Sequence, residues 1–193
     1  AATHAGQRAG AAWPRLPPRG WALGAATVLL LAAAGWGWRQ WDQARHSVGP
    51  VRLRFVLPRG QTNRQQPLLV TGRPNAGTFV YVVYAGPDRI RLGVDVWGRF
   101  HFETESLRVD YFSAHELVVD SGALYPPGDP SARPHLRLVF DGQPVFDRAL
   151  DTYPSARADV TVGLNRIGGS TCEPAFSGRI LGIERLPRPG PGR

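Results

Sequence analysis

A chain of 193 residues with 23 basic and 15 acidic side chains has a formal net charge of +8. Every basic residue in that count is arginine, Lys and Met are absent, and Ala, Gly and Pro abound, the composition of a G+C-rich bacterial genome. Residues 1–46 hold five Arg and one Asp, while residues 47–193 hold 18 Arg and 14 acids, so each part carries +4. The larger part is only mildly basic and its arginines alternate with acids, which argues against a nucleic-acid partner. A single cysteine, Cys172, excludes an internal disulfide and a cysteine-based zinc site.

Residues 1–19 form a basic, proline-containing arm with Arg8, Arg15 and Arg19 and no acid. Such a segment cannot bury a core of its own. Residues 20–41 follow with an uncharged run from Trp21 to Trp38. As a helix that run would measure about 27 Å, close to the roughly 30 Å of a bilayer's hydrocarbon core. Trp21 stands at one end, and Trp36, Trp38 and Trp41 at the other, where indole rings favour the membrane interface. Arg39 follows at once and can snorkel to the headgroups. We therefore expect one transmembrane α-helix, with Arg8, Arg15, Arg19, Trp21, Trp36, Trp38, Arg39 and Trp41 contacting the lipid interface or partner subunits. The span holds no His, Asp or Glu, so it offers no imidazole ligand for a haem or chlorin and no proton relay. Contacts to pigment or lipid there would be peripheral, and no cofactor is expected.

Orientation is read with the N-terminus in the cytoplasm and the domain in the periplasm, anchored in a bacterial inner membrane. Arg39, Arg45, Arg52 and Arg54 lie on the far side, but large domains translocate largely regardless of charge. A cleaved signal peptide is the alternative, with Ala32-Ala33-Ala34 before Gly35 as its cleavage site.

After a connector over residues 42–50 the pattern changes to period two. VRLRFVL (51–57), TFVYVVY (78–84), RIRLGVDVW (89–97) and RFHF (99–102) read as strands. HELVVD (115–120), HLRLVFDG (135–142), PVFDR (144–148), DVTVGLN (159–165) and FSGRILGIERL (176–186) complete the set. Gly- and Pro-rich turns separate them, Trp97-Gly98-Arg99 and Asp141-Gly142 among them, and no long stretch has a helical period. Residues 51–186 are expected to form one all-β antiparallel sandwich, followed by a Pro/Gly/Arg tail at 187–193.

The order HELVVD, LRLVFDGQPVFDR, VGLNRIGGS and FSGRILGIERL resembles the closing half of a laminin G-like, concanavalin A-type jelly roll. Gly168-Gly169 and Gly178 would allow the bend and close packing such a half needs. Two departures stand out. Cys172 has no partner, and Arg179 occupies the place where the family often has its second cysteine. No carboxylate-dense loop suggests calcium, and Asp88, Asp129 and Asp141 fall where turns favour Asp anyway. No metal is expected.

Catalysis is weakly motivated. Glu103 and Glu105 would share a strand face and could be assembled into a glycosidase pair, yet the family's E-x-D-x-E glucanase pattern is absent. Ser113 with His115, or His101 with Glu103, lack a nucleophile elbow and a third member. Histidines 4, 46, 101, 115 and 135 are scattered. No catalytic residue is assigned, and the chain is not expected to be an enzyme. Carbohydrate recognition would need exposed aromatics on a concave face or loop tip, for which Tyr81, Tyr84, Trp97, Tyr111, Tyr125 and Tyr153 are candidates.

The first functional reading is a non-catalytic, single-pass accessory subunit whose partners are membrane protein subunits and the bilayer. Its layout resembles the small single-span subunits of bacterial photosynthetic reaction-centre and light-harvesting assemblies. That resemblance is of layout, and no motif carries it. The alternative is a membrane-anchored periplasmic carbohydrate-binding module, with a glycoside hydrolase-like enzyme third.

Overall fold

The computed structural model describes residues 49–187. Expectations for the arm, the span and most of the connector, including the eight arginines and tryptophans assigned to them, lie outside the described residues, as does most of the tail. Among the described residues no helix is long and apolar enough to cross a membrane.

Among the described residues eleven strands form two antiparallel sheets. They are β1 (Val51–Val56), β2 (Gln65–Arg73), β3 (Ala76–Gly86), β4 (Arg89–Val96), β5 (Phe100–Glu103), β6 (Leu107–Arg108), β7 (His115–Ser121), β8 (Leu136–Phe140), β9 (Gln143–Arg148), β10 (Val160–Val162) and β11 (Arg179–Arg185). One sheet has the order β11-β1-β7-β8-β9; the other has β10-β2-β3-β4-β5, with β6 also paired to β4. The expected all-β sandwich is what the strand pairing shows. Each period-two run falls on a strand, although the one at 159–165 is shortened to three residues.

Alternation places Val51, Leu53 and Phe55 of β1 and Leu117 and Val119 of β7 inward, against Val80, Val82, Ile90, Leu92 and Val94 of the opposing sheet. Arg52 and Arg54 point the other way, and Arg52 meets Glu116 at 3.3 Å and Glu184 at 3.0 Å. The Asp141-Gly142 pair closes the β8–β9 hairpin with φ of 47° and 79°, the left-handed geometry of a tight two-residue turn.

Two strands went unread in the sequence. β6 is two residues long. β2, QQPLLVTGR, is buried along seven consecutive residues and so shows no alternation, and it contains Pro67. A proline is tolerated there for a positional reason: β10 pairs β2 only from Leu69 to Thr71, and the ladder to β3 slips between Pro67 and Leu69. Both faces of β3 are covered as well. Phe79, Tyr81 and Val83 point outward into a second apolar cluster, closed over by Ile167 and Cys172 from the loop that follows β10. Cys172 is therefore a buried thiol, and burial pushes its pKa up to about 12.

A polar cluster pins the start of β8. His135 engages the Arg133 carbonyl through Nδ1 at 2.9 Å and Asp120 through Nε2 at 3.1 Å, and Tyr125 donates its hydroxyl to the same carboxylate oxygen at 2.8 Å. The hydrogen bond to Asp120 raises the His135 pKa against the opposing effect of burial. Burial works to raise Asp120, but hydrogen bonds from His135 and Tyr125 outweigh it and the net shift is downward. The histidine's contribution is thus complete below its unfolded pKa of about 6.5 and is lost as pH rises through its elevated folded value; the aspartate's is complete above about 3.9 and is lost on acidification. Denaturant midpoints should fall as pH rises above about 6.5 and through the elevated folded value of His135, and His135→Gln should flatten that fall. Parallel curves for both proteins would refute the assignment.

Candidate functional site

Three connections meet at one end of the sandwich: β1–β2, the β3–β4 hairpin, and β6–β7. Their convergence follows from the ladders, because Phe55 at the end of β1 pairs with His115 at the start of β7, and Gln65 at the start of β2 pairs with Val83 near the end of β3. Between them lies a cleft of about 500 Å3 whose walls include Arg59, Gln61, Thr62, Asp88, Tyr111 and Phe112.

Phe112 is the unusual wall. It is 73% exposed, and the Arg59 guanidinium carbon lies 3.6 Å from its ring centroid. A cation over an aromatic face at this distance is attractive, and it covers one face of a ring that is otherwise exposed at the loop tip. Asp110 sets the tip. Its Oδ1 accepts from the Phe112 amide at 2.9 Å and its Oδ2 from the Ser113 hydroxyl at 2.5 Å, an Asx-type turn. Those two hydrogen bonds hold the Asp110 carboxyl below the usual carboxylate range. From beneath, buried His115 contacts the Asp110 carbonyl through Nε2 at 2.9 Å and Asp141 through Nδ1 at 2.7 Å, while its ring stacks on Phe140 with centroids 5.4 Å apart.

That geometry removes the Ser113–His115 pairing as a nucleophile and base, since Ser113 gives its hydroxyl to Asp110 and both imidazole nitrogens of His115 are engaged elsewhere. The Glu103–Glu105 pair is also corrected. β5 ends at Glu103, and Thr104 then turns inward, its amide donating to the Leu92 carbonyl and its hydroxyl accepting from the Leu92 amide. Glu105 leaves the strand, and Glu103 is ion-paired with Arg91 at 3.0 Å. His101 lies over the second cluster, its ring 6.4 Å from that of Tyr81. Among the described residues no group of three or more potential metal ligands converges.

The aromatic candidates separate cleanly. Tyr81, Tyr84 and Tyr125 are fully buried, and Trp97 is partly buried against Phe79. Tyr153 donates its hydroxyl to the Trp97 carbonyl at 3.0 Å beneath the Arg99 guanidinium. Only Tyr111 of that group reaches the loop-end cleft, where its hydroxyl donates to the Gly86 carbonyl at 3.3 Å. Phe112 was not among the candidates. Its signal was present: an aromatic side chain in a polar turn, DYFSAHE, outside any alternating run.

No family model matches the chain, and no curated protein sequence matches it. Among solved structures, the CBM40 of the Ruminococcus gnavus IT-sialidase, bound to α2,3-sialyllactose, is similar at 14% identity and TM-score 0.47 over 71% of this chain and 74% of that one. The native heptameric SAP-like pentraxin from Limulus polyphemus is similar at 13% identity and TM-score 0.49 over 72% and 65%. A leech intramolecular trans-sialidase is similar at 17% identity and TM-score 0.45 over 71% of this chain and 21% of its own. Likenesses at this level say nothing about ligand, and the two-sheet architecture stands on the strand pairing itself.

Proposed function

We propose that the sandwich is a non-catalytic recognition domain that binds carbohydrate in the loop-end cleft, held near a membrane by the apolar segment at residues 20–41. The observation that carries this reading is Phe112, a 73% exposed ring on a largely apolar cleft that also holds the polar side chains of Gln61 and Thr62. A sugar's C–H face packs on the ring face that Arg59 leaves open, while Gln61 and Thr62 supply hydrogen-bonding groups beside it; the Asp88 carboxylate is already paired with Arg108 at 3.2 Å. The laminin G-like subtype of sandwich belongs to the same proposal. In its support, HELVVD is β7, LRLVF-DG-QPVFDR is the β8–β9 hairpin, and RILGIER is β11 beside β1.

The accessory-subunit reading is the second proposal and rests on Gly20–Trp41. The two separate in one preparation. Full-length protein extracted gently from native membranes is sized, then screened against a glycan array beside Phe112→Ala. Carbohydrate binding that weakens about tenfold or more in the variant, equivalent to about 1.4 kcal/mol, supports recognition through this cleft. Co-migration with a large membrane particle and no glycan bound would favour the subunit reading. Binding indifferent to Phe112 would remove the cleft from the account.

A further inference from the structure

At the opposite end of the sandwich a second cleft, of about 300 Å3, is lined by Leu124, Tyr125, Pro126 and Pro154 together with two arginines, Arg157 and Arg185. Among the described residues no Asp or Glu lines it. Arg185 is half-buried at the end of β11, and among the described residues its hydrogen-bond partner is the Gly49 carbonyl at 3.1 Å. That bond uses one of the five N–H donors of a guanidinium.

The nearest acids in sequence are committed elsewhere. Asp159, two residues after Arg157, pairs with Arg73 at 3.1 Å. Glu184, beside Arg185, pairs with Arg52 at 3.0 Å. Arg157 itself has no carboxylate partner among the described residues, and burial, followed by the charge of Arg157, lowers the pKa of Arg185. Among the described residues, two like-charged side chains therefore line one largely apolar recess with no carboxylate in it, although this domain has acids close by that neutralise other arginines. An anion placed there would favour the charged form of half-buried Arg185.

We propose that this cleft binds a small organic acid, a carboxylate on an aromatic or branched aliphatic body, with the carboxylate between Arg157 and Arg185 and the body against Leu124, Tyr125 and the proline walls. An arginine pair presents N–H forks that match a carboxylate's two oxygens. Bulk sulfate or phosphate would leave the apolar wall unused, and an uncharged apolar compound would leave the cations unmatched. The site is separate from the Phe112 cleft.

The test is calorimetric titration of full-length protein in detergent with 3-phenylpropionate, using 3-phenylpropanol and acetate as controls. The expected result is binding of the acid, with the alcohol and acetate at least about tenfold weaker. Arg157→Gln and Arg185→Gln should each weaken the acid at least about tenfold in the same detergent, so micelle partitioning cancels. Arg157 is exposed and its side chain makes no hydrogen bond or ion pair among the described residues, so its variant should fold even where Arg185→Gln does not. Arg157→Glu should abolish binding and raise the melting temperature by giving Arg185 a partner. Phe112→Ala should leave the titration unchanged, so loss of the carbohydrate reading would not touch this one. Equal binding of the acid and the alcohol, or binding unaltered by Arg157→Gln, would overturn the proposal, as would no detectable binding of the acid.

Discussion

Gln66→Leu is expected to destabilise the sandwich by about 3 kcal/mol or more, although the two side chains are similar in volume. Gln66 is completely buried. Its Oε1 accepts from the Tyr84 hydroxyl at 3.0 Å and the Ser177 amide at 3.1 Å, and its Nε2 donates to Glu173 at 2.9 Å. Leucine would strand the Tyr84 hydroxyl in a core where burial already pushes that phenol's pKa up. The penalty comes from the groups left unpaired, because a buried donor without an acceptor bears its full desolvation cost. Removing both ends should recover part of it, so Gln66→Leu with Tyr84→Phe should be more stable than Gln66→Leu alone. Urea unfolding of the four proteins in a double-mutant cycle reads the coupling directly. A single-variant loss under about 1 kcal/mol, or no recovery in the double variant, would show that the network is dispensable. The network also reaches the loop-end cleft: Glu173 is ion-paired with Arg64, which donates to Gln61 at 3.0 Å. Loosening it should therefore weaken any ligand held by Gln61.

Gly72→Ala is expected to be as damaging, for a backbone reason. Gly72 and Gly77 face each other just inside the Pro74-Asn75 turn of the β2–β3 hairpin. Gly72 has a φ of 90°, and a Cβ there would lie 2.2 Å from the Ala76 carbonyl oxygen and 2.8 Å from the Gly77 Cα. Neither atom is the end of a flexible side chain, so relief requires the hairpin to open. Gly128 serves as the control, since its φ is 86° and an added Cβ meets nothing within 4 Å. Gly128→Ala should cost only the left-handed penalty of about 1–2 kcal/mol, and Gly72→Ala about 3–4 kcal/mol. Thermal or denaturant midpoints of the two variants decide it. Equal losses would mean that the hairpin yields freely and the collision carries no weight.

These two residues mark where a reading of the chain alone stops. Alternation in VRLRFVL, RIRLGVDVW and HELVVD placed β1, β4 and β7 correctly, because in a strand covered on one face the period is set by local geometry. Asp141-Gly142 was legible as a turn for the same local reason, since few residue pairs accept two successive positive φ values. β2 was not legible. A strand buried on both faces loses its period, and whether Pro67 breaks a ladder depends on where β10 happens to end. The candidate sites follow the same division. Composition and spacing argued against a catalytic constellation, and the contacts of Ser113 and Glu103 gave those residues other partners. Phe112 over Arg59, and Arg157 facing Arg185, are pairings between segments far apart in the chain. The apolar run at residues 20–41, the sandwich class and its turns are thus properties of short stretches and can be read from them. Which polar groups are left unmatched, and which clefts they line, was decided only by the packing of the two sheets, because burial and charge pairing belong to neighbours in space.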